Sequence, residues 1–202
     1  MASRATKMGK KAKAALDTVK HPPYLRIYVP AQQAKPAPPL GPQLGKRNIN
    51  IANFCKDFNE KTKHIKAGVP VPCDIFINPD RSYKLQMSHP PSQYLLRMAA
   101  GAKKGAATPG SEVSGRLTLK HIYEIALLKK EDPASQASSL QSICASLISE
   151  AHRVGIDVLS RSEAASHTPE SYAEFMKQRE IDVLERKKEL EEKKQAKMMR
   201  IS

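Results

Sequence analysis

The chain has no tryptophan, and aromatic residues make up only 5% of its 202 positions. So sparse an aromatic set argues against one large core, and the length suits two small domains. It also leaves few rings on which bases could stack, which disfavours a single-strand-binding platform. Cysteine is scarce as well. Cys55, Cys73 and Cys144 are too scattered for a disulfide framework, and none falls in a C-x-x-C or Cys/His zinc spacing. A reducing compartment is expected, with no structural metal and no cofactor. No apolar run approaches the roughly 20 residues that span a bilayer, so a soluble chain with no membrane partner is expected. An enzyme would show a nucleophile with its base or a paired acid and base, and neither is present in a convincing arrangement. His21, His64, His89, His121, His152 and His167 lie far apart in the chain.

Positive charge is what the sequence does have. Thirty-four Lys and Arg against 20 Asp and Glu give a formal net charge of +14, which suits a polyanionic partner, nucleic acid first. Residues 1–20 carry six of these cations against Asp17 alone, with Ala5, Met8, Ala12, Leu16 and Val19 at helical spacing. That composition fits an organellar targeting segment or a basic arm on RNA.

Periodicity divides the rest. "YLRIYVPAQQ" at 24–33 reads as a strand, followed by a stiff loop, "KPAPPLGPQLG", rich in proline and glycine. Ile51, Phe54, Cys55 and Phe58 define one face of a helix from about Asn50 to Lys63. "VPCDIFIN" and "SYKLQM" alternate as two strands around an "NPDR" turn at 78–81. The expected architecture is α+β, with a small α/β domain at 21–88 (strand, proline loop, helix, β-hairpin) and a proline hinge at 89–92. A three-helix RNA-binding domain follows at 93–160, then a charged helical extension at 161–202. Tyr94, Leu95 and Met98 begin the first of the three helices. Thr118 caps the second, which turns Leu119, Ile122, Ile125 and Ala126 inward. Leu140 to Ala151 trace the third, ending near Gly155. In the extension, Thr168 is an N-cap with Pro169 at the first helical position, and Tyr172, Phe175 and Met176 can dock it.

Between the first two of these helices, "GAKKGAATPGSEVSG" at 101–115 has no hydrophobic period. It lacks the [ST] and the preceding strand of a nucleotide-hydrolysing phosphate loop. Small residues do let the backbone approach polynucleotide phosphates, with Lys103 and Lys104 supplying charge. Arg116, Thr118, Lys120 and His121 open the next helix, whose free N–H groups favour a phosphate, and His152 and Arg153 close the third. These corners form one expected patch, suited to folded RNA read by shape and backbone. A helix-turn-helix DNA regulator is the rival reading. It would want long polar side chains where "ASSLQSICASLISEAH" offers small ones.

The segment "PAPPLGPQLGKRNINIANFCKDFNEKT" resembles the signature of large-subunit ribosomal protein eleven, bacterial and mitochondrial type. The likeness continues through "VPVPCDIFINPDRSYKLQM", "HPPSQYLLRMAAGAKKG" and "VSGRLTLKHIYEIA", over roughly residues 23–159. It implies a non-enzymatic constituent of the large subunit at the base of the ribosomal stalk. Its carboxy-terminal domain would grip the folded rRNA of the GTPase-associated centre. Its amino-terminal domain would face stalk proteins and translational GTPases such as elongation factor G, beside a cleft targeted by thiopeptide antibiotics. No homo-oligomer is expected. The matching RNA-side positions are Gly101, Lys103, Gly105, Pro109, Gly115, Arg116, Thr118 and Gly155. The matching factor-contact positions are Pro38, Pro39, Gly41, Pro42 and Gly45. Bacterial members usually read G-T-A-R-S-M-G where this chain has Ser149 to Gly155, so Glu150 brings a negative charge to that segment, with Arg153 to compensate. Asn48 and Gln32 stand where glycines are frequent. The basic first 20 residues and the extension beyond about residue 160 point to the mitochondrial matrix.

Overall fold

A computed structural model describes residues 22–78, 82–166 and 168–199, and contacts divide the chain between Pro91 and Ser92. The helical spacing of residues 5–19 lies outside the described residues, as does most of the expected turn at 78–81.

In the first unit the order is β1 (Tyr24–Pro30), α1 (Leu40–Gly45), α2 (Ile51–Lys61), β2 (Pro70–Ile77) and β3 (Tyr83–Met87). The strands form one antiparallel sheet with β2 central. Its register sets Leu25 opposite Ile75, Val29 opposite Val71 and Cys73 opposite Met87. Alternation therefore gives one face to the core, where Phe54 and Phe58 of α2 are fully buried against it. Helix α2 starts where Asn50 accepts hydrogen bonds from the N–H groups of Ala52 (3.1 Å) and Asn53 (3.2 Å). The open face of the sheet carries Tyr24, Tyr28 and Phe76, so part of the small aromatic set is exposed after all. There Arg26 grips Asp74 at 2.7 and 2.9 Å, and the Tyr24 hydroxyl donates to the same carboxylate at 2.8 Å. These bonds, with Arg26 first, hold the Asp74 carboxyl below its ordinary range.

The proline-rich stretch is not a loop throughout. Pro39 precedes a six-residue helix, α1, in which Leu40 and Leu44 are buried at i and i+4. Pro42 sits in its first turn, where its missing N–H costs no helical bond. Both residues that stand in place of glycine adopt left-handed backbone, Gln32 at φ 60° and Asn48 at φ 58°. Gln32 is anchored in that conformation. Its Nε2 donates to the carbonyls of Lys63 (3.1 Å) and Ile65 (2.6 Å), and its own N–H donates to the buried Thr62 hydroxyl at 3.0 Å.

The second unit runs α3 (Ser92–Ala99), β4 (Gly115–Thr118), α4 (Leu119–Lys130), α5 (Leu140–Val154), β5 (Ile156–Leu159), α6 (Arg161–Ser166) and α7 (Pro169–Met199). The three expected helices, α3, α4 and α5, share a core of Leu96, Leu117, Ile122, Ala126, Leu147, Ala151 and Ile156. They do not make it alone. Strands β4 and β5 pair in parallel, Gly115 with Ile156 through Thr118 with Leu159, and supply Leu117 and Ile156 to that core. Leu119, expected to point inward, is 49% exposed, because as the first residue of α4 it leaves the strand beyond the core's edge. Helix α6 opens on a reciprocal cap. Ser160 N–H donates to Glu163 Oε2 at 2.8 Å, which lowers the Glu163 pKa, and Glu163 N–H donates back to Ser160 Oγ at 3.4 Å.

Candidate nucleic-acid interface

The glycine-rich segment 101–114 is fastened to the end of α5. Ala106 N–H donates to the Val154 carbonyl at 2.9 Å, and both the N–H (2.6 Å) and the hydroxyl (3.0 Å) of Ser114 donate to the Gly155 carbonyl. Within the segment, Ala107 N–H donates to Glu112 Oε2 at 2.8 Å. Gly155 makes the junction sterically feasible. It caps α5 at φ 78°, and a Cβ there would lie 2.3 Å from Ala106 Cβ and 3.0 Å from the Glu112 carbonyl oxygen. Two of the expected corners are thereby one, and Gly115 carries the chain directly into β4 and the N-terminus of α4. At that terminus Thr118 is extended and its N–H donates to His121 Nδ1 at 3.2 Å.

The expected RNA-side residues occupy different positions at this corner. Lys103, Lys104, Pro109, Lys120, His152 and Arg153 are exposed, with the Lys103 side chain 90% so. Gly101 ends the turn after α3 at φ 59°. Gly115 and Gly155 are buried and shape the surface from beneath, and Gly105 is half-buried, packed close against Val154. Arg153 lies 3.8 Å from Glu150, which compensates the negative charge that this segment carries. Arg116 is half-buried: its guanidinium lies 4.4 Å from the centre of the Phe175 ring, and its Nε is buried without a hydrogen-bond partner.

Phe175 belongs to α7, and the involvement of that helix at this corner is the largest addition to the sequence reading. The Tyr172 hydroxyl donates to the Ala100 carbonyl and accepts from Arg116 N–H at 3.5 Å. Glu180 lies 3.4 Å from Lys103 Nζ. Arg179 donates to the Lys104 carbonyl at 3.3 Å. Arg186 bonds both Glu112 (3.1 Å) and the Thr108 hydroxyl (3.2 Å). The half-buried residues Tyr172, Phe175, Met176, Arg179 and Val183 form one helical stripe, a signal legible in the sequence only as far as Met176.

Of the factor-contact positions, Pro38, Pro39, Pro42 and Gly45 are exposed around α1. Gly41 is buried instead, where a Cβ would come within 3.3 Å of the Pro36 carbonyl oxygen, so its part is close packing.

A sheet-and-helix unit followed by a mainly helical unit with a basic, glycine-shaped corner defines a basic two-unit protein of mixed α/β class. Comparison with known families matches residues 25–83 to "Ribosomal protein L11, N-terminal domain" and residues 88–158 to "Ribosomal protein L11, RNA binding domain". The chain belongs to the ribosomal protein L11 family, within its mitochondrial branch, and is not an enzyme. It is 46% identical to large ribosomal subunit protein uL11m of Drosophila melanogaster over 98% of both chains, and 45% identical to uL11m of Caenorhabditis elegans over 90% of this chain and 91% of that one. Protein uL11 of Roseobacter denitrificans is 40% identical over 94% of its own length but 66% of this chain. The fly protein therefore aligns across the extension that carries α7, and the bacterial alignment stops short of the full chain.

Proposed function

We propose that this protein is a constituent of the mitochondrial large ribosomal subunit at the base of the stalk. Its second unit holds the folded rRNA of the GTPase-associated centre, and its first unit presents Pro38, Pro39 and Pro42 to stalk proteins and translational GTPases such as elongation factor G. Residues 89–92 act as the hinge between the two functions. The observation that carries the RNA reading is the fastening of the 101–114 segment to the end of α5. The reading is supported by the exposure of Lys103 and Lys104 on that segment and of His152 and Arg153 at the helix end to which it is fastened. Such a corner offers point charges and backbone N–H groups in a fixed frame, which suits phosphate contacts on a structured RNA.

The test is binding of the full chain to folded GTPase-centre rRNA over a salt series, with Lys103→Ala/Arg116→Ala and a scrambled RNA alongside. Tight binding that requires the folded RNA is expected, and each lost phosphate contact should lower the slope of log K against log salt by about one. Equal binding to both RNAs, or an unchanged slope in the double variant, overturns the assignment of this corner.

A further inference from the structure

We infer that the first half of α7 is an intramolecular stand-in for RNA, a strap that lies along the Arg116 side of the basic corner in the free protein and gives way when rRNA binds. The inference rests on the RNA reading of that corner. Apart from the Ala100 carbonyl, which takes the Tyr172 hydroxyl, the groups that α7 engages there belong to the expected interface or its frame: Lys103 through Glu180, Arg116 through Phe175 and Tyr172, Lys104 through Arg179, and Thr108 and Glu112 through Arg186. A phosphate backbone that bridges the exposed Lys103 and the half-buried Arg116 would meet this helix at Phe175. The two occupants are therefore in competition.

Charge decides which half of the helix is the strap. Residues 168–186 carry Glu170, Glu174, Glu180, Asp182 and Glu185 against Lys177, Arg179 and Arg186, so the docked half is net acidic. It complements the lysine-bearing segment and would repel RNA if it stayed between the two. Residues 187–199 reverse the balance, with Lys187, Lys188, Lys193, Lys194 and Lys197 against three glutamates. The strap is also weakly held. Over its 31 residues α7 buries none completely, and the Lys103–Glu180 pair is open to water, with side chains 90% and 66% exposed. The main anchors are two half-buried rings, Tyr172 and Phe175, stacked 5.9 Å apart. Such a contact blocks weak, non-specific polyanions and yields to a ligand that fits the whole corner. A strap docked in nine molecules of ten lowers the apparent RNA affinity about tenfold.

The test uses the full chain and folded GTPase-centre rRNA. Hydrogen exchange should show amides in 170–186 exchanging faster in the complex than in the free protein, while amides in 101–118 exchange more slowly. Equal or slower exchange across 170–186 overturns the proposal, because the helix then stays in place. In parallel, Phe175→Ala/Glu180→Gln should raise affinity for the folded RNA about three- to tenfold, and raise binding to a scrambled RNA by at least as much. Unchanged or weaker binding of this variant also overturns it. If Lys103→Ala/Arg116→Ala binds the folded RNA as well as the parent does, the RNA reading of the corner has failed, and the strap falls with it.

Discussion

Replacing Gly155 with alanine places a Cβ 2.3 Å from Ala106 Cβ and 3.0 Å from the Glu112 carbonyl oxygen, at a residue whose φ is 78°. Two costs add. The left-handed backbone disfavours any residue with a Cβ by about 1–2 kcal/mol. The overlap forces the 101–114 segment off the end of α5 or bends the cap, and overpacking of this kind costs about 1–3 kcal/mol. The first contact is with a methyl group rather than backbone, so the two costs can be separated. Gly155→Ala alone should destabilise the full chain by about 2–5 kcal/mol in urea unfolding. Adding Ala106→Gly removes the 2.3 Å neighbour and should return about 1–2 kcal/mol of that loss, leaving the φ penalty in place. Binding to rRNA should follow the same order, because the displaced segment carries Lys103 and Lys104. A single variant that loses less than 1 kcal/mol, or a double variant no more stable than the single, would refute the claim that Gly155 sets the junction.

Other expectations are simpler. Asn50→Ala removes the cap of α2 and should cost about 1 kcal/mol in urea unfolding, whereas Asn50→Asp should cost little. Gln32→Ala keeps the left-handed backbone and loses the side-chain bonds to Lys63 and Ile65, so it should cost about 1–3 kcal/mol. Gln32→Gly relieves the backbone and should be the milder of the two. Asp74 has a pKa depressed below its ordinary 3.8, so its pairing with Arg26 stabilises the fold at neutral pH and that contribution is lost as pH falls through the folded value. Asp74→Asn should flatten the acid limb of a stability–pH curve below about pH 5, and an unaltered limb would contradict the role given to the Arg26–Asp74 pair.

Much of the fold was legible because its cores are built on plain periods. Ile51, Phe54, Cys55 and Phe58 mark α2, and Ile143, Leu147 and Ala151 are buried on α5 where the spacing puts them. The missed elements are those too short for a period to speak. Strands β4 and β5 have four residues each, half of them turned outward, and α1 has six. Helix α6 did carry a local sign, Ser160 followed three residues later by Glu163, that a search for capping boxes would have found. At the candidate site the charges were readable, since Lys103, Lys104, Arg116 and His152 stand in plain view. What could not be read was contact across distance. Glu180 is 77 residues from Lys103, and nothing in the local pattern of either announces the other.

The parallel pairing of β4 with β5 has a consequence for the order in which the molecule is made. Residues 115–118 find their partners only at 156–159, so the basic corner cannot close until the chain has grown past Leu159. A ribosome making this protein exposes the lysine-bearing segment first, then α4 and α5, and only then the strand that locks them. The residues of α7 that touch this corner, Tyr172 to Arg186, emerge later still, so the corner is framed before the helix that lies against it has been made.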